Sequence, residues 1–412
     1  MSSQTSGNRV LWTIFIANFL DMLGFGLILP VFGFLFENEG SVFSAIFSAA
    51  DLKFYYVFFV GSFSVGTLIG APVIGTLSDK FGRKKMLFFT YTCNIVFYLL
   101  FALGVHLVSY WLAYSARLLA GLTGGSLLII NSAIADVSKA ENKAKNFGIT
   151  GIAFGLGFVI GALLGSILTD ERIHPLFSVK IPIIVSCVVT FCNIVFIYYM
   201  LPETFHGNRA LKISLFTGLN NLVKAFTRPM FRLIFTVVYL VTLSFNFFIQ
   251  FYQFYVREVL HYSKSEVGIL FMYIGLSVAF TQGVILRPIA DHWRPRYVLT
   301  GILPLFALSY LLILTAETRW AFYLCTFLII LCQGITFPTT LAFISNRVSR
   351  EVQGETIGIN QAVLSAAAAS TIILGSVFVL SHSLPMWFGA ITTFVAWLYF
   401  ILNIYVIRKD II

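Results

Sequence analysis

Apolar runs of twenty or more residues recur along the whole of this chain, and no other feature limits its fold so strongly. At 1.5 Å per helical residue, each run spans about 30 Å of hydrocarbon. A backbone in lipid must satisfy its own N–H and C=O groups, so such runs form helices. Twelve can be drawn, over residues 10–36, 53–79, 84–105, 108–136, 142–169, 179–201, 229–256, 264–290, 296–315, 319–346, 353–380 and 385–407. The fold class is therefore all-α and membrane-embedded. Composition agrees, with 58% hydrophobic and 11% charged residues. A soluble chain of 412 residues would interrupt its segments with charged faces.

The first run is too long for a cleaved signal peptide, carries Asp21 in its middle, and lacks a small-residue cleavage site. Cys93, Cys187, Cys192, Cys325 and Cys332 all fall inside apolar runs without metal-ligand spacing, so they read as small buried hydrophobes and no metal is expected. The net charge of +10 has a topological explanation rather than a nucleic-acid one. With the N-terminus inside, nineteen of the 27 lysines and arginines fall in cytoplasmic segments, such as Lys80–Lys85 and Arg209–Arg232, against six outside. Arg117 and Arg287 lie within helices. By the positive-inside rule both termini face the cytoplasm.

The longest polar stretch, 202–228, holds Pro202, Gly207, Asn208, Asn220 and Asn221, the composition of a loop with one short surface helix. It divides the chain into a first six-helix bundle (1–201) and a second (229–412). The halves echo each other: Asp136 to Gly148 is matched by Asn346 to Gly358, and Gly75 to Lys85 by Arg287 to Arg296. Parallel six-helix repeats are an architecture of transporters, with the binding site between the halves.

At these loops the sequence resembles the major facilitator superfamily, and within it the twelve-helix drug/proton antiporter branch. Four motifs carry the resemblance in order. Asp21-x2-Gly24-x-Gly26-x3-Pro30 is similar to the first-helix motif, and Gly75-x3-Asp79-x2-Gly82-Arg83-Lys84-Lys85 to the loop between helices two and three. Arg117-x3-Gly121-x2-Gly124-Gly125 resembles the fourth-helix arginine motif. Gly148-x8-Gly157-x3-Gly161-Ala162-x2-Gly165-Ser166 is close to the antiporter signature of the fifth helix, with Ala162 where the family has Pro and Ser166 where it has Gly. The resemblance implies two bundles rocking about a central cavity, with inner contacts of the loop motif holding the outward-facing state shut.

Each constellation has a physical reading. A carboxylate near mid-membrane costs several kcal/mol unless it is neutralised, paired or wetted, so Asp21 suits a proton exchanged with whichever aqueous side it meets. Asn18, three residues earlier on the same face, can supply a hydrogen bond. An Asp21 that only locks helices together is the alternative. Arg117 stays protonated and needs a partner. It lies roughly 12 Å from the level of Asp21, so a direct pair is not expected. Carbonyls freed where Gly24, Gly26 and Pro30 loosen the first helix would serve it; a place in the substrate or proton path is equally open. In the loop motif, Asp79 is suited to cap a neighbouring helix and Arg83 to pair with Asp136. Asp291 marks the second copy, whose latch is weaker because Asn346 replaces the acid. Gly148, Gly157, Gly161 and Gly165 read as close helix packing. Asn246, Gln250 and Gln253 at i, i+4 and i+7 form a polar stripe among aromatics, suited to an uncharged or amphipathic ligand or to interhelical bonding.

No catalytic group is expected. No GxxxxGK[ST] motif is present to bind ATP, and His106, His174, His206, His261, His292 and His382 fall in or beside loops. The sequence thus predicts no cofactor and a proton gradient as energy source. The partners expected are a small molecule, protons and lipid, with no nucleic acid, for a monomer in the inner membrane. Proton-driven export is the leading reading. An importer or facilitator of a metabolite or siderophore-like ligand, or a non-transporting sensor, are its rivals.

Overall fold

A computed structural model describes residues 2–36, 40–137, 143–205, 217–258, 260–316, 318–345, 353–378 and 383–404. Fifteen helices carry nearly all of them. The first half contains α1 (Ser2–Leu35), α2 (Ala49–Phe81), α3 (Arg83–His106), α4 (Tyr110–Leu122), α5 (Ser126–Val137), α6 (Lys143–Leu168) and α7 (Ile181–Met200). A short amphipathic α8 (Thr217–Thr227) follows in the linker. The second half contains α9 (Pro229–Glu258), α10 (Lys264–Phe280), α11 (Leu286–His292), α12 (Pro295–Leu312), α13 (Arg319–Ser345), α14 (Gln353–Phe378) and α15 (Leu384–Ile404). Among the described residues, eleven segments are long and apolar enough to cross a membrane; α14 occupies the place of the eleventh run in the sequence.

Two expected runs are not single regular helices. The fourth breaks at Thr123–Gly125 into α4 and α5. Gly121 packs against the main chain of Phe63 and Gly66 on α2, and a side chain at Gly125 would meet Ile74 at 2.5 Å. Such close approach leaves no room for a side chain at Gly121 or Gly125. In the eighth run a π-helical turn at Thr281–Ile285 separates α10 from α11, a local widening common near functional sites.

The helices cluster into two compact units: residues 1–217 with 261–279, and residues 218–260 with 280–412. The first part of α10 joins the first unit because small residues let it approach α6: Gly268 faces Ser166, Gly275 faces Val159, and Gly155 faces Ala279. Within this unit the main seam is α1 on α6. Gly157, Gly161 and Gly165 lie directly against the backbone of α1 at Phe19, Leu23 and Leu27, and Gly26 answers against Phe158. A core of Ile14, Ala17, Leu87, Tyr91, Ile130 and Ile197 knits α1, α3, α5 and α7 at one end. In the second unit α9 packs on α15 and α14, with Ser244 donating to the Gly389 carbonyl at 3.1 Å, and α15 also packs on α12, with Trp397 donating to the Thr300 carbonyl at 3.1 Å.

Candidate functional site

The break in the fourth span places Ser126 at the first position of α5, and its hydroxyl donates to Asp21 Oδ2 at 2.8 Å. Asp21 is half-buried. Around it the first unit gathers polar atoms of which the sequence marked only Asn18. Tyr91 on α3 is fully buried, and its hydroxyl lies near Asp21, Ser126 and Asn193 without a hydrogen bond of its own. Asn193 on α7 donates to the Ala17 carbonyl at 2.9 Å, leaving Oδ1 unsatisfied. Asn18 donates to the Thr150 carbonyl at 3.0 Å, and its Oδ1 is also unsatisfied. Buried polar atoms are rarely left so, and those of Tyr91 and Asn193 near the carboxylate leave hydrogen-bonding capacity that a water could fill. Asn18 was marked by its spacing from Asp21, whereas Tyr91, Asn193 and Ser126 gave a sequence signal only as lone polar letters in apolar runs; their convergence is tertiary.

Arg117 is not held by freed carbonyls of the first helix. α1 runs unbroken through Pro30, and the Gly24 carbonyl accepts from Ser186 at 2.9 Å. The guanidinium instead lies 3.9 Å from the ring centre of Phe32, with Phe63 at 5.3 Å and Phe59 at 5.4 Å. It is buried, and its Nε has no acceptor. Each cation–π contact supplies about 0.5–2 kcal/mol, whereas a buried charge without a counter-ion costs several kcal/mol. The rings offset part of that cost. Asp21 and Arg117 form no ion pair; Tyr98, on the α3 face of Tyr91, lines one pocket with Arg117.

At the end of α2 the loop motif forms one tight cluster. Arg83, 6% exposed, pairs with Asp79, donates to Asp136 Oδ2 from Nε at 3.2 Å and to Ser78 Oγ at 2.6 Å, and lies over the ring of Phe205. Asp79 is engaged by Arg83, and the carboxylate that caps a helix here is Glu203. Glu203 Oε1 accepts from the main-chain N–H groups of Arg83 at 2.7 Å and Lys84 at 3.4 Å. Gly82 makes the turn with φ +100°, and a side chain there would strike Glu203 at 2.5 Å. Gly75 sits against Leu128. The only sequence signal for Glu203 was an acid after Pro202 at a helix end. Asp291 lies exposed on α11 of the second unit, and Asn346 lies outside the described residues.

On α9, Asn246 turns its amide to its own helix, donating to the Thr242 carbonyl at 2.8 Å, and Gln250 is buried. Gln253 lies outside the described side chains, as do the surroundings of Gly148. The nearby aromatic Tyr252 shares a hydrogen bond of 2.6 Å with Thr326 and stacks on Phe322. Asn246 thus bonds within its own helix.

The sequence model of the Major Facilitator Superfamily matches residues 14–297 and 251–410. The class H tetracycline resistance protein of Pasteurella multocida is 26% identical over 400 residues, covering 96% of this chain and 95% of that protein. Quinolone resistance protein NorA of Staphylococcus aureus (strain MSSA476) is 24% identical over 384 residues, 92% of each. Among solved structures, the human organic anion transporter MFSD10 (TETRAN) superposes with a TM-score of 0.77 at 20% identity, covering 96% of this chain and 99% of that one. A D-xylose–proton symporter gives 0.73 at 16%, with 95% and 97% covered.

Proposed function

The chain belongs to the major facilitator superfamily, and from that premise we propose that it is a proton-coupled antiporter exporting small amphipathic compounds by alternating access. The observation that carries this reading is the carboxyl of Asp21, bonded to Ser126 inside a span beside the buried hydroxyl of Tyr91, which Asn193 with its unsatisfied Oδ1 adjoins. A carboxyl in such surroundings can load a proton from one side and release it to the other as water reaches it. Resistance by efflux fits the tetracycline and quinolone resistance proteins among its relatives. The proton gradient is the energy source, with no cofactor. The protein works as a monomer in the inner membrane with both termini cytoplasmic, and the Arg83 cluster stiffens the cytoplasmic end of its bundle.

Inside-out vesicles test this directly. With the interior acidified, tetracycline or another amphipathic compound accumulates, and a protonophore collapses the gradient. Asp21→Asn abolishes uphill accumulation while exchange of labelled for unlabelled compound persists. Uphill transport of native size in Asp21→Asn refutes the assignment. An importer or facilitator on the same fold is the second reading, favoured by Ala162 and Ser166 in the fifth-span motif; a facilitator would be indifferent to the same substitution.

A further inference from the structure

Asn193 on α7 is a buried amide to which the transport reading gives no task. It and Tyr91 are both 0% exposed, and α7 packs on α1 and on α3. Its Nδ2 donates to the Ala17 carbonyl of α1 at 2.9 Å. A carbonyl only accepts, so this bond fixes which end of the amide is nitrogen. A second N–H and the unsatisfied Oδ1 are left to offer. Beside the amide stands the Tyr91 hydroxyl, which has no hydrogen bond of its own and lies near Asp21 as well. Ser126 spends its one hydrogen on Asp21 Oδ2 at 2.8 Å. An ionised carboxylate only accepts, whereas a protonated one also donates. A phenol hydroxyl gives one hydrogen and takes another, and an amide answers it either way.

We propose that Asn193 is a positioning residue for the proton of Asp21, acting through the hydroxyl of Tyr91. With Asp21 ionised, Tyr91 donates to the carboxylate and accepts from the Asn193 N–H. With Asp21 protonated, the carboxyl donates to Tyr91, and Tyr91 donates to Asn193 Oδ1. The row of hydrogen bonds reverses its direction and keeps each member bonded in both states, so neither state strands a buried polar group. The proton comes and goes on Asp21 by way of water; Tyr91 and Asn193 gain and lose none of their own. Tyr98 of α3, Arg117 of α4 and Cys187 of α7 are the other ionisable side chains of this neighbourhood, and Arg117 is taken up by the rings of Phe32, Phe59 and Phe63. The inference deepens the transport reading and rests on it in one respect, that Asp21 is where the proton is exchanged.

The test is infrared difference spectroscopy of the full chain reconstituted in lipid, recorded as the buffer is acidified. A carboxyl C=O band appears when Asp21 takes up its proton, and its loss in Asp21→Asn identifies it. Donation to Tyr91 lowers the frequency of that band, so the band rises in Tyr91→Phe. It rises in Asn193→Leu too, where Tyr91 loses the acceptor that completes the row. In the double variant it stands where Tyr91→Phe alone puts it, because Asn193 acts only through the hydroxyl. A band unmoved by Asn193→Leu overturns the proposal. So does a further shift in the double variant, which would mean that Asn193 acts on Asp21 by holding α1 at Ala17. Should Asn193→Leu fail to fold, Asn193→Ala takes its place under the same two criteria, and a band unmoved by Tyr91→Phe overturns the proposal in any case. No band in the native chain removes the proposal together with Asp21 as the proton site. The band with both shifts, in a chain whose vesicle transport ignores the proton gradient, keeps the role of Asn193 and removes the antiport reading.

Discussion

Glu203 accepts main-chain N–H bonds from Arg83 and Lys84, two of the donors that the start of α3 leaves without helical partners, and another from Phe205 at 3.3 Å. A capping side chain of this kind is worth about 1–2 kcal/mol. Glu203→Ala therefore lowers stability by about that amount, read as the unfolding midpoint in detergent. Glu203→Gln loses less, because an acceptor oxygen remains while only the favourable charge at a helix start is gone. A midpoint unmoved by Glu203→Ala would mean that the cap is replaced by water at no cost. Tyr91 gives the opposite test. Its hydroxyl is buried without a partner, so Tyr91→Phe leaves stability within about 1 kcal/mol of native or raises it. If that hydroxyl belongs to the path by which Asp21 exchanges its proton, gradient-driven transport falls several-fold while passive exchange persists; native transport in Tyr91→Phe places the hydroxyl outside the path. Asp21 and Arg117 stood out in the sequence because ionised groups are rare in lipid. Tyr91, Asn193 and Ser126 did not, because a single polar letter on each of three helices gains meaning only when the helices meet.

At the scale of the helices, the α1–α6 seam fixes where Asp21 stands. The glycines of the fifth span touch the backbone of α1 at Phe19, Leu23 and Leu27, on both sides of Asp21 in the sequence. Any side chain at Gly161 must push α1 away, and overpacking of this kind costs about 1–3 kcal/mol. Gly161→Ala is thus destabilising and lowers transport, whereas Gly301→Ala on α12, with nothing within 4 Å of the added methyl, is neutral or stabilising by up to about 1 kcal/mol. Thermal unfolding of the two variants side by side settles the matter, since equal midpoints would mean that the seam opens freely. Hydropathy located the spans because each is a long apolar stretch whose helix is forced by lipid. It did not show the gap at Thr123–Gly125 or the π turn at Thr281–Ile285, because a break in hydrogen bonding changes neither length nor apolarity. The aromatic cradle of Arg117 was equally hidden: Phe32, Phe59 and Phe63 come from α1 and α2 and are three among 44 phenylalanines.

For the whole molecule, the distribution of lysine and arginine predicts which ends of the helices meet the cytoplasm, and with it which side would feed protons to Asp21 in the proposed mechanism. Arg172 and Arg294 are both exposed, one in the connection between α6 and α7, the other between α11 and α12. The sixth, seventh and eighth spans lie between them. An odd number of crossings puts the two on opposite sides whichever way the chain is inserted, and the charge bias then assigns Arg172 outside and Arg294 inside. The native cysteines all lie within spans, so the unaltered chain is its own blank for a membrane-impermeant maleimide. Arg172→Cys is labelled in intact cells, and Arg294→Cys only after permeabilisation. The reverse pattern would invert the molecule and turn the proposed export into uptake. Labelling of both in intact cells would break the odd count of crossings, and with it the arrangement of spans on which the proton assignment depends.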